Sequence, residues 1–159
     1  MTALYPWFVF AHLVGLVLFA ISHGASAYVA FRIRSDRDPR AVASLLAMSE
    51  LAKGPMYIGL VLLLLGGAGA ATAAGLWFEP WIIASIVVLV VVLGVMYSVA
   101  TPYYGELRSA VGDPSADVPA SVTSERLASI LDTRRPEALL AVGTGGLLIL
   151  VWLMVLKPG

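Results

Sequence analysis

The two histidines, His12 and His23, both lie in the stretch AHLVGLVLFAISHGAS, residues 11–26, inside the first long apolar run of the chain. They are eleven residues apart, close to three helical turns. On a helix both imidazoles would therefore point nearly the same way, about 16 Å apart along the axis. Gly15, Phe19 and Ser26 fall on or near the same face. Lipid offers imidazole no hydrogen-bond partner, so such a stripe is expected to face a bundle interior. An imidazole at membrane depth can ligate a metal, ligate haem iron, relay protons or hydrogen-bond a neighbouring helix. The separation forbids the two histidines from binding one ion. For haem, one helix cannot give both axial bonds to the same iron, so a second helix must contribute. The candidates are a methionine, Met56 or Met96, or the same histidine from a partner protomer across a two-fold axis, which would stack two haems, one at each histidine level. For copper, His with Met is a suitable donor pair.

Other chemistry finds little in the sequence. The chain has no cysteine, which removes disulfides, thiolate metal sites and cysteine nucleophiles. No acid lies deep in an apolar run, which argues against a carboxylate proton path or a paired-acid site. Glu137, just after Arg134-Arg135-Pro136, reads as an acid complementing the dipole of a helix first turn, and Glu79 as a solvated turn residue. No Ser or Thr adjoins a histidine and an acid in a nucleophile motif. Gly143-Thr144-Gly145-Gly146 lacks the lysine of a phosphate-binding loop and sits inside an apolar run.

The elements that must position the histidines are membrane helices. Hydrophobic residues make up 60% of the 159 and charged residues 13%, against nearer one half and one quarter in a soluble domain. The net charge is zero, and no basic field argues for nucleic acid. A span needs roughly 20 apolar residues. Four segments qualify: about 6–31, 55–78, 81–100 and 136–156. Pro6, Pro55 and Pro136 stand where a first-turn proline would, and Pro102 follows the third run as a stop. Ala25-Ser26-Ala27 could mimic a signal cleavage site, but no Lys or Arg precedes the run and a basic cluster follows it, so the first segment reads as a retained helix. The two long connections, 32–54 and 101–135, carry nine of the ten basic residues. By the positive-inside rule both are cytoplasmic. Trp7, Trp77, Trp81 and Trp152 fall at the outer boundary and Tyr28, Tyr57 and Tyr97 toward the inner one, in agreement. The expectation is an all-α polytopic membrane protein: one domain over 1–159, a four-transmembrane-helix bundle with both termini outside.

Each cytoplasmic connection contains an amphipathic pattern, Val42, Leu45 and Leu46 in the first and Leu127, Ile130 and Leu131 in the second. These are expected to lie on the inner membrane surface or to extend the following helix. Ala43-Ser44-Leu45-Leu46 before Lys53-Gly54-Pro55 is similar to Ala128-Ser129-Ile130-Leu131 before Arg134-Arg135-Pro136, which suggests a parallel repeat of one out-in-out unit. Gly112, Asp113, Pro114, Ser115 and Pro119 mark a flexible stretch. The basic loops read as the topology signal and as contacts for anionic lipid heads. Gly67, Ala71 and Gly75, with Gly66, Ala70 and Ala74 beside them, give the second helix a smooth face for close packing, as Gly143, Gly145 and Gly146 do the fourth. The β-branched run IIASIVVLVVVLGV of the third suits a lipid-facing helix.

The His-x-x-Gly of His12 and Gly15, the Arg-rich first connection, the Gly-rich second helix and the closing Leu153-Met154-Val155-Leu156-Lys157-Pro158 together resemble an uncharacterised family of four-helix bacterial integral membrane proteins. That family is distantly similar to the copper-resistance D membrane proteins, which also carry a histidine in a glycine-containing first helix. The resemblance implies a multi-pass protein of the bacterial plasma membrane and points to haem or metal handling. The leading expectation is a binding or redox-accessory protein in which His12, with His23 as a further candidate, holds haem b or copper between helices, in a homodimer or a larger membrane complex. Two others stand beside it: a non-catalytic scaffold or accessory subunit whose Gly-rich faces bind partner helices, and a small transporter, against which the shortage of intramembrane charge argues.

Overall fold

A computed structural model describes residues 2–36, 38–112 and 124–158. Arg37 and the stretch Asp113–Pro119, read as flexible from its composition, lie outside them. The chain is all-α: a short 3-10 turn, Thr2–Leu4, leads into α1, Tyr5–Ser35; then follow α2, Pro39–Ala74, α3, Pro80–Ala110, the short α4, Ser124–Leu131, and α5, Arg135–Leu156. Four helical segments are long and apolar enough to cross a membrane, the fourth counted from Glu125 through Leu156. The protein is a multi-pass membrane bundle.

The helices run past the expected spans on the basic side, termed the inner end with its opposite the outer end, and two prolines lie inside them. Pro55 sits within α2, and Pro102 does not end the third helix, which continues to Ala110. An internal proline costs about 3 kcal/mol. Fully burying a large apolar side chain returns about 1.5–3 kcal/mol. Beyond Pro102, Tyr103, Leu107 and Ala110 are all buried, and before Pro55 so are Val42 and Leu46; in each case the burial outweighs the proline. At the outer end α2 stops at Ala74, four residues short of the expected boundary, because Gly75 takes φ 70° and caps it, Leu76 N–H donating to Ala71 O at 2.9 Å. Asp38 caps the start of α2, accepting from Arg40 N–H at 3.0 Å.

The bundle is two antiparallel pairs, α1 with α2 and α3 with α5, touching each other mainly at the basic inner end. There Val29, Ile33, Val42, Leu46, Tyr103, Leu107, Leu127, Leu131 and Leu139 form one packed core. The amphipathic stretches thus turn their apolar faces into the bundle and not onto the membrane surface. The first of them extends α2, whereas the second is a separate helix, α4, set off from α5 by a turn at 132–134. Ion pairs tie the same end together: Arg34 of α1 with Glu137 of α5 at 2.5 Å, Arg135 of α5 with Glu106 of α3 at 2.8 Å, and Arg108 of α3 with Glu50 of α2, which also accepts from Lys53 at 2.8 Å. Glu137 therefore holds a cross-helix partner as well as its place in a first turn.

Candidate functional site

Along the α1–α2 seam glycines let the two helices approach closely. Gly15, Gly59 and Gly66 put backbone on backbone: a Cβ on Gly66 would stand 2.5 Å from His12 N, and one on Gly59 2.7 Å from Phe19 N. Lower down, the Ser26 and Ser49 hydroxyls meet at 3.2 Å. This approach brings the His12 ring to α2, where its Nδ1 lies 2.7 Å from Leu63 O. A carbonyl can only accept, so Nδ1 carries a proton, and in the neutral ring the lone pair is on Nε2. Gly67 leaves room for the ring, since a Cβ there would come within 2.9 Å of Nδ1. Such an N–H to carbonyl bond is the outer-shell contact that fixes the tautomer and direction of a metal-ligating histidine.

His12 stands on the wall of a cavity of about 740 Å³ between the two helix pairs, in the outer half of the bundle. Sites for small molecules and cofactors run about 300–1,000 Å³, so the space is of ligand size. The walls are aliphatic: Leu16 of α1, Leu60 and Leu64 of α2, Leu89 of α3 and Leu147 and Leu150 of α5 all contribute. Polar groups gather at the outer end, where Tyr5, Trp77, Trp81 and Lys157 line the cavity and Lys157 Nζ lies 5.4 Å from the centre of the Trp81 ring. Ser85, buried, spends its hydroxyl on Trp81 O of its own helix at 2.7 Å.

His23 does a different job. Its ring stacks on Phe19, which lines the cavity, with centroids 5.8 Å apart and planes 2° from parallel. It abuts α5 at Gly143, where a Cβ would stand 2.4 Å from Nε2 and 3.6 Å from Met96 Cε. His23, Met96 and Gly143 thus come together inward of the cavity, beyond its lining residues Phe19, Leu89 and Leu147. The His23 Nε2 is buried with no hydrogen-bond partner among the described residues.

The two histidines do share a face of α1, as their spacing requires, but they meet different helices: His12 faces α2 and the cavity, His23 faces α3 and α5. Met96 is at the His23 level, two turns inward of Leu89, the innermost cavity residue of α3. Met56 is half-buried on α2, one turn inward of Leu60. Neither lines the space beside His12. A methionine that does is Met154 of α5, which the sequence alone does not bring near His12. Among the described residues no three of His, Asp or Glu gather as a metal site, so a copper site here would have to be built from histidine and methionine alone. Compared with family models, with curated proteins and with solved structures, the chain gives no match.

Proposed function

We propose that this protein holds a haem in the cavity between its helix pairs, with His12 Nε2 as an axial ligand, and acts as a redox or cofactor-handling protein of the bacterial plasma membrane. The observation that carries the reading is the His12 Nδ1–H bond to Leu63 O at 2.7 Å on the wall of a ligand-sized apolar cavity. The other features suit an amphipathic planar group: aliphatic walls for the macrocycle, and Lys157 with the tryptophans at the outer mouth for its carboxylates. A bound haem would supply one-electron exchange. The chain's own residues would exclude water and fix the ligand tautomer through Leu63. The donor set suits haem better than copper, because one free imidazole nitrogen faces a space far larger than an ion requires.

The same His12–Leu63 bond favours a second reading, a non-catalytic scaffold in which His12 serves only to join α1 to α2. Absorption spectroscopy on protein purified from haem-supplied cells separates the two. The haem reading expects a Soret band at one haem per chain that is lost in His12→Ala. Its absence from the wild-type protein, or its persistence in His12→Ala, would refute that reading.

A further inference from the structure

The structure gives His12 a counterpart on α5. His23 rests on Gly143, and α1 and α5 run in opposite directions. Moving outward from that contact, His12 is eleven residues up α1 and Met154 is eleven residues up α5. Eleven residues is about three turns and about 16 Å of rise on either helix, so the two side chains arrive at the same level and on the faces that met at the start. The residues between them on each stripe, Leu16 and Phe19 on α1 and Leu147 and Leu150 on α5, all line the cavity, as do His12 and Met154 themselves. Two donor side chains therefore occupy one level of one apolar chamber, on opposite helix pairs. Its lining carries no other sulfur donor, for Met56 and Met96 both lie inward of it.

We propose that Met154 would be the second protein ligand of the haem iron, its Sδ joining His12 Nε2. This rests on the haem reading above. Methionine is a soft neutral donor, and a His/Met pair favours the reduced iron and raises the reduction potential relative to two imidazoles. Both ligands are uncharged, which suits a site with no acid among its lining residues.

The test is haem reconstitution of the full chain in lipid nanodiscs, read by absorption, electron paramagnetic resonance and redox titration. The wild type is expected to be six-coordinate and low-spin. Met154→Leu, similar in volume, should keep haem at one per chain but convert it to a high-spin form of lower potential. Met154→His should stay low-spin with the signature of two imidazoles and a potential below that of the wild type. Met56→Leu should match the wild type. If Met154→Leu and Met154→His both leave spin state and potential unchanged, the Met154 assignment is wrong while the haem reading stands. A wild type that binds no haem overturns both.

Discussion

Gly66→Ala tests whether α1 and α2 are joined as tightly as the His12 site requires. The new Cβ would stand 2.5 Å from His12 N and 2.9 Å from its Cα. Both are backbone atoms, so no side chain can swing aside. Reaching 3.4 Å, where ordinary contact begins, needs the helices to part by roughly 0.9 Å at this level. Overpacking of this kind costs about 1–3 kcal/mol. The same movement would stretch the His12–Leu63 bond from 2.7 Å to a separation beyond the ~3.2 Å limit, losing about 0.6 kcal/mol more, the mean for interhelical bonds in a membrane. Alanine's better helix propensity returns up to about 1 kcal/mol. The net expectation is a loss of about 1–3 kcal/mol, measured by reversible unfolding in mixed micelles. Gly94→Ala is the control, because a Cβ there meets nothing within 4 Å; it should be neutral or stabilising. If the two variants unfold alike, the backbone-to-backbone seam is wrong, and with it the orientation of His12.

Tyr103 is fully buried, with a hydroxyl that has no hydrogen-bond partner among the described residues, so Tyr103→Phe should be neutral or stabilising by about 1 kcal/mol in the same assay, whereas Tyr103→Ala should cost about 3–5 kcal/mol. The Arg135–Glu106 pair is about one-third exposed on each side, so a double-mutant cycle through Arg135→Ala and Glu106→Ala should give a coupling of no more than about 1 kcal/mol that weakens with salt. Gly143→Ala puts a Cβ 2.4 Å from His23 Nε2 and should displace that ring; the expected result is a change in haem spectrum or affinity with the His12 ligand retained, read by haem titration. The chain lacks cysteine, so single cysteines report orientation: Glu79→Cys should react with an impermeant maleimide in intact cells and Ser44→Cys only after permeabilisation, and the reverse pattern would invert the bundle.

Much of this was legible in the sequence, for reasons that can be named. Membrane helices announce themselves by apolar runs longer than any soluble element needs. The shared face of His12 and His23 follows from helical period alone. What the sequence concealed was tertiary. Whether Pro102 ends a helix depends on the burial of Tyr103, Leu107 and Ala110 beyond it, which local pattern cannot price. The amphipathic stretches around Leu46 and Leu131 look alike whether their apolar faces meet lipid or each other. The glycines showed that helices would approach closely, but not that Gly66 would serve the His12 backbone, Gly67 its ring and Gly143 the ring of His23, while Gly75 serves only as a cap. Met154 was hidden for a related reason: its pairing with His12 exists only once Gly143 sets the register between α1 and α5.

That register also explains why the site is in the outer half. A membrane bundle gains little from burying one apolar side chain against another instead of against lipid, so cohesion must come from close backbone packing, polar contacts and whatever lies outside the bilayer. Here the close packing is spent within each helix pair, along Gly15, Gly59 and Gly66 in the first and at Gly146 against Val92 in the second. Between pairs, the core and the ion pairs at the basic inner end do the joining. Above the His23–Gly143 contact little holds α1 and α2 to α3 and α5, and the pairs enclose the chamber that His12 faces. A ligand bridging His12 and Met154 would therefore stabilise the bundle where it is weakest. The unfolding gain on adding haem should accordingly disappear in His12→Ala but survive mutations of the inner-end ion pairs, whose destabilisation should add to it independently.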